Sequence, residues 1–397
     1  VWEQIRSNQI RSVVLTIGMG ALLILVGYFL GLAFDNAIAG LVIAILVWVI
    51  LSLVAYFQGD SILLGLSKAK KIKPDDHPRL YNVVEEMKIA SGLEKVPDIY
   101  IIDDPALNAF ATGRDPNKAS VAITSGLLQK LNRDELQGVM AHEISHIKNR
   151  DVLLMAMCSV LLGTVVILAY YGSRVLFFGG GSRRSSSRGG GGGNAIVLIV
   201  ALVFIILAPI FAQLIYFAVS RRREYLADAS GALYTRYPEG LASALEKLAA
   251  STEPLKSANQ ATAPMYIINP FRKRGLKASD LTSTHPPISE RIRILRAMAG
   301  ASFNNYDQAY RQVRGGKGII PAASLTAETV PIATVKLEGE AGELNEMQRA
   351  RETSDVMWRL SDYKTITCDC GAKLRVPPNF KESQIRCPHC GRIHHVR

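Results

Sequence analysis

The sequence predicts a mainly helical α+β protein embedded in a membrane. Long charge-free apolar runs, a polar stretch mixing helical and short strand patterns, and a tight C-terminal cysteine group support this class. The hydrophobic fraction is 49% of 397 residues. Ser12 to Phe34 and Ile38 to Tyr56 carry no charge, and each is about long enough to cross a ~30 Å hydrocarbon core as a helix. Ser12 to Phe34 is too long for the apolar core of a signal peptide and lacks a small-residue cleavage site, so it reads as a retained anchor. Residue 1 is Val, as a literally translated alternative start codon would leave it. Val152 to Tyr171 and Ala195 to Val219 are two further apolar runs, giving about four expected transmembrane helices.

The formal charge is +12, from 46 basic and 34 acidic residues. Nucleic acid is one reading of such an excess. Basic residues beside apolar runs are the better one: Arg6 and Arg11 precede the first run, and Lys68, Lys70, Lys71 and Lys73 follow the second. Nucleic acid is therefore not an expected partner, whereas the lipid bilayer is.

Between the second and third runs, Pro78 to Ser91 reads as an amphipathic helix and Asp98 to Ile102 and Val121 to Thr124 as strands. Asn132 with Glu135 three residues on forms a capping-box pattern, opening a helix from about Arg133 to Asn149. Gly179 to Asn194, rich in Gly, Ser and Arg, reads as a connection with no fold of its own. Helical patterns resume over Tyr225 to Leu233, Leu241 to Ala250 and Ser289 to Met298, while Arg311 to Asp362 shows no clear organisation.

Chemistry concentrates on the capped helix. His142-Glu143-Ile144-Ser145-His146 fits H-E-x-x-H. Residues at i and i+4 share one helical face, so two imidazoles can converge on one cation with Glu143 beside them. Zinc there lowers the pKa of a bound water to ~7, and Glu143 can take its proton as general base. The bland alternative is two satisfied histidines and a surface glutamate. A catalytic zinc needs a third protein ligand. Glu224 is the best candidate, with Asp228 four residues on, placed to accept the other ring N–H of a ligand histidine. From spacing alone, a charged helix start with Glu224 paired to Arg221 remains open.

The ordered set of Asn108-Ala109-Phe110-Ala111-Thr112-Gly113, the H-E-x-x-H with Asn149-Arg150-Asp151, Arg223-Glu224-Tyr225-Leu226-Ala227-Asp228, and Ser283-Thr284-His285-Pro286-Pro287 with Glu290-Arg291-Ile292 resembles HtpX-type membrane metallopeptidases. These belong to the M48 family, with the Ste24 CAAX-processing proteases, and the resemblance covers about Trp2 to Met298. It implies a gluzincin-like catalytic domain with a small β-sheet. It also implies zinc held by His142, His146 and Glu224, Glu143 as base, and Asp228 behind a ligand histidine. Asn108, Ala109, Phe110 and Ala111 would offer a strand edge for an extended substrate. His285 would stabilise the oxyanion, the alternative being a helix-capping histidine before Pro286 and Pro287. Such relatives commonly end near Met298; this chain continues for about a hundred residues more.

Of five cysteines, Cys158 lies in an apolar run and reads as a small hydrophobe. Cys368, Cys370, Cys387 and Cys390 resemble the two knuckles of a zinc ribbon and call for one structural zinc. The first knuckle is C-x-C where C-x-x-C is usual, so His389, His394 or His395 could substitute. A redox or disordered tail is the alternative.

The expected division is residues 1–58 as a transmembrane hairpin, 59–151 and 220–300 as the two parts of the catalytic domain, 152–219 as the later apolar pair with loop 179–194, 301–362 as a linker or extension, and 363–397 as the ribbon. Charge bias places the ends of the first hairpin and the catalytic stretch in the cytoplasm, and the expected location is the inner membrane of a prokaryotic cell. Arg174, Arg183, Arg184 and Arg188 near the later loop oppose four crossings, leaving a re-entrant pair as the alternative. The expected function is zinc-dependent endoproteolysis of membrane proteins or other polypeptides in quality control. A processing protease for defined, for example lipidated, substrates and a ribbon-based adaptor without protease activity are the competing readings. Nothing in the sequence sets an oligomeric state.

Overall fold

The computed structural model describes residues 2–33, 36–153, 170, 210, 221–251, 253–256, 266–268, 285–325, 331–333 and 344–396. Almost all of the third and fourth apolar runs, loop 179–194 and Cys158 lie outside these residues.

Helices α1 (Trp2–Ala33) and α2 (Ala37–Leu66) pack as an antiparallel hairpin. Asn36 caps α2, its Oδ1 accepting the Ala39 N–H at 3.0 Å. Small residues let the helices touch: a Cβ on Gly27 would collide with Ala44, and one on Gly40 with the Gly27 carbonyl. Val14, Ile38 and Leu53 are more than half exposed along this hairpin, an outer surface suited to lipid. Among the described residues α2 alone is long and apolar enough to cross a membrane; the apolar stretch of α1 is the shorter Gly20–Leu32. Both helices exceed the charge-free runs, α1 beginning ten residues earlier and α2 continuing through Asp60.

Beyond the hairpin stands a four-stranded sheet in the order β1-β2-β4-β3. β1 (Lys70–Lys71) runs antiparallel to β2 (Asp98–Ile102), which runs parallel to β4 (Ala119–Thr124). β3 (Ala109–Gly113) is antiparallel to β4 and occupies the sheet edge. The parallel pair needs a crossover, and β3 lies within it. Helix α3 (Pro78–Ser91) forms as the sequence predicts, with His77 as its N-cap and Gly92 ending it at φ +67°. A short helix α4 (Ser125–Lys130), unanticipated, leads into α5 (Arg133–Lys148).

The capping box of α5 is present in both directions: Asn132 Oδ1 accepts the Glu135 N–H at 2.8 Å, and Glu135 Oε2 accepts the Asn132 N–H at 2.9 Å. Leu136, Val139, Met140, Ala141, Ile144 and Ile147 are buried in one continuous apolar core shared with α3 and the sheet. Residues 221–235 form helix α6, and α7 (Pro238–Ala250) returns along α5. A Cβ on Gly138 would stand 2.6 Å from Leu241 N, so only glycine permits this approach. A Cβ on Gly231 would stand 3.3 Å from His142 N, which places α6 against α5 at the level of that histidine.

Residues beyond the catalytic pattern are organised more than their sequence suggests. After α8 (Ile288–Arg296) comes α9 (Phe303–Arg314), then α10 (Glu346–Arg359). α10 docks on α4: Lys130 pairs with Glu346 at 2.9 Å, and Arg349 Nε donates to the Gln129 carbonyl at 3.1 Å. Val356 and Met357 enter the main core. Two hairpins close the chain, β5 (Lys364–Thr367) with β6 (Lys373–Val376) and β7 (Gln384–Arg386) with β8 (Ile393–His395). Asp355 of α10 holds the first hairpin through Lys373 at 2.6 Å and Arg375 at 2.8 Å.

Candidate metal and active site

One turn of α5 separates His142 from His146, and their Nε2 atoms lie 3.3 Å apart. Glu224 reaches them from α6, with Oε2 3.5 Å from His142 Nε2 and Oε1 3.5 Å from His146 Nε2. A tetrahedral zinc with bonds of ~2.0–2.1 Å has ligand–ligand edges of ~3.3–3.4 Å. The three spacings match those edges.

Carboxylates set the ring tautomers. Asp228 Oδ1 lies 3.0 Å from His142 Nδ1, and Asp151 Oδ2 lies 3.3 Å from His146 Nδ1. A proton on each Nδ1 leaves two Nε2 lone pairs facing each other, an arrangement that repels until a cation stands between them. Burial opposes a charged His142, but hydrogen bonds to Asp228 and Glu224 outweigh it and raise its pKa to about 9. The pocket therefore favours added positive charge. Burial also opposes ionisation of Glu224, yet His285 and His142 hold its carboxyl well below the usual range. These residues fit a zinc ion.

Glu143 is buried beside the two histidines, and its Oε1 has no hydrogen-bond partner among the described residues. Burial pushes its carboxyl up, while His142 and His146 pull it back. A buried acceptor left free next to a cation pocket is available to a water proton. His285 Nε2 lies 3.8 Å from Glu224 Oε2. Burial lowers its pKa to about 4, so it offers a neutral ring. It is not the cap of α8, whose N-cap is Pro287.

The strand-edge expectation needs correction in part. Thr124 N–H donates to the Asn108 carbonyl at 3.0 Å, so Asn108 faces β4. Because antiparallel backbone alternates, Phe110 faces β4 too, and only Ala109 and Ala111 of the four turn their backbone outward. Ala109 is already engaged: its carbonyl accepts the Ile267 N–H at 2.9 Å.

Two participants carried no role in the sequence reading. Arg291 is fully buried and grips Asp228 at 2.8 and 2.7 Å through Nε and Nη2, with Nη1 3.4 Å from Glu224. Its signal was an arginine on the apolar stripe Ile288, Ile294 and Leu295 of a short helix. Asp151, also held by Arg223 at 3.6 Å, lies just past the end of α5, and nothing in its spacing points back to His146.

At the C-terminus the four thiols converge. Cys368 and Cys390 Sγ are 3.4 Å apart, and Cys370 and Cys387 Sγ 3.7 Å apart. Tetrahedral zinc with ~2.3 Å sulfur bonds has edges of ~3.8 Å, against ~2.05 Å for a disulfide. Gly371 at φ +83° and Gly391 at φ +75° make the two knuckle turns. The backbone N–H of Cys390, with that of His389, draws the Cys387 thiol down to about 6. The described cluster contains the four cysteines and none of the three histidines.

Residues 74–299 match the model of peptidase family M48. A protein named Protease HtpX homolog from Dictyoglomus turgidum is 46% identical over 304 residues, 75% of this chain and 94% of the relative. Its namesake from Thermoanaerobacter pseudethanolicus is 42% identical, covering 75% of this chain and 98% of the relative. Among solved structures, that of S. mikatae Ste24p aligns over 74% of this chain and 67% of its own, at 20% identity and a TM-score of 0.42.

Proposed function

This chain belongs to peptidase family M48, and from that premise we propose that its metallopeptidase activity is endoproteolysis of membrane proteins in quality control. The carrying observation is the convergence of His142, His146 and Glu224 at tetrahedral spacing beside the free Glu143 Oε1. The exposed apolar hairpin supports a site tethered to a bilayer, and the basic residues flanking it in sequence support a site on the cytoplasmic side.

In this reading His142, His146 and Glu224 hold the catalytic zinc, which supplies Lewis-acid activation of water and of the scissile carbonyl. Glu143 accepts the proton of the attacking water at Oε1 and returns it to the leaving amine, so hydrolysis consumes one water and leaves the enzyme unchanged. His285 donates to the oxygen that gains charge. Asp228 and Asp151 fix the histidine rings. The four cysteines hold a second, structural zinc.

The test is Glu143→Gln in the full chain, reconstituted with an unfolded membrane protein. Zinc content stays at the wild-type level and cleavage is lost. Full cleavage would refute Glu143 as the base. In cells, membrane proteins that accumulate only with the inactive variant would be its quality-control substrates; accumulation of a single defined substrate would favour a processing protease instead.

A further inference from the structure

The outward edge of β3 carries a short piece of the chain itself. Ile267 donates its N–H to the Ala109 carbonyl at 2.9 Å. The Ile267 carbonyl accepts from Arg291 Nη1 at 3.2 Å, and the Ile268 carbonyl accepts from Asn108 Nδ2 at 3.2 Å. All three contacts use main-chain groups of the segment. Any extended peptide presents the same groups, which is how strand addition works.

This segment also lies at the chemistry. The same Arg291 Nη1 that meets the Ile267 carbonyl is 3.4 Å from Glu224 Oε2. The peptide around Ile267 is thus within a guanidinium's width of a candidate metal ligand. Side chains anchor it: Tyr266 is fully buried, edge-on to Phe110 at 5.2 Å, with its hydroxyl 3.3 Å from Ser67 Oγ. Ile267 and Ile268 are buried as well.

We propose that Tyr266–Ile268 is an internal occupant of the substrate's strand site, so that a polypeptide binds by displacing it and the enzyme is self-restrained until one does. The proposal rests on reading β3 as the substrate edge. An incoming strand replaces the three hydrogen bonds like for like, so the barrier is set by the packing of the segment's own side chains. A substrate able to fill the same pockets competes well; one that cannot is excluded.

The experiment measures binding without turnover. In the full chain in detergent, carrying Glu143→Gln, a fluorescein-labelled octapeptide of alternating Val and Thr is titrated by anisotropy. Ile267→Pro deletes the N–H given to Ala109 and leaves Tyr266 in place; it lowers the peptide's Kd about three- to tenfold, the worth of one hydrogen bond. Tyr266→Ala acts in the same direction. Equal Kd across the Glu143→Gln chain and both variants would show that substrate pairs elsewhere, and would overturn the proposal. Should Tyr266→Ala unfold, hydrogen exchange on the chain with Glu143→Gln alone decides: residues 266–268 exchange faster at saturating peptide, and unchanged protection overturns the idea. Tighter peptide binding in Ile267→Pro without any Glu143-dependent hydrolysis by the wild type would sink the catalytic reading while leaving the occupant standing.

Discussion

His142 Nδ1 lies 3.0 Å from Asp228 Oδ1, with both side chains fully buried. That contact commits the Nδ1 proton to a carboxylate and aims the Nε2 lone pair at His146 and Glu224. Arg291 grips both oxygens of the same carboxylate, Oδ1 included, so one buried aspartate serves both an imidazole and a guanidinium.

Asp228 and Asp151 should therefore respond differently to the same change. Asp228→Asn leaves the Arg291 guanidinium buried with a weaker partner and costs about 3–5 kcal/mol of stability, read as a drop in Tm of the zinc-free chain. Asp151→Asn, behind His146, weakens zinc affinity about 10- to 100-fold, read by chelator competition, with a smaller change in Tm because its ion pair with Arg223 is longer, 3.6 Å against 2.7 Å for Asp228 and Arg291. Identical behaviour of the two variants would contradict these roles.

Zinc stoichiometry separates the two clusters. The purified chain binds two zinc ions, Glu224→Gln retains one, and a double Cys387→Ser, Cys390→Ser variant also retains one, the catalytic ion. Elemental analysis that still finds two in Glu224→Gln would place the third ligand elsewhere.

Gly138→Ala should destabilise the fold although alanine favours helices. The new Cβ would meet Leu241 N at 2.6 Å, across the contact between α5 and α7. Overpacking of this kind costs about 1–3 kcal/mol. An unchanged unfolding midpoint in denaturant would show that the two helices separate freely.

His77 makes stability depend on acidity. Burial, and then the charge of Arg79, lower its pKa from 6.5 to about 4, and its Nε2 has no hydrogen-bond partner among the described residues. The unfolded chain binds this proton more readily than the folded one. Its contribution is complete above pH 6.5 and is lost as pH falls toward 4, up to about 3 kcal/mol. His77→Asn keeps an N-cap side chain and removes the titration, so its Tm falls less than that of the wild type between pH 7 and pH 5. Parallel curves would remove His77 as the cause.

How much of this was legible in the sequence depends on the range of the interactions. The capping box of Asn132 and Glu135, the pairing of His142 with His146 on one helical face and the knuckle glycines after Cys370 and Cys390 are local, so spacing alone determined them. Apolar runs likewise marked the hairpin, because lipid demands a length of helix whatever lies beside it. Tertiary structure decided the rest. Asp151 reaches His146 only because the chain turns at the end of α5, and Arg291 enters the site only because α8 packs against α6 and α7. The Ala109 edge is filled by Ile267, 158 residues away in sequence. No periodicity records such contacts, since each depends on where two distant backbones meet and which buried charges must be neutralised there.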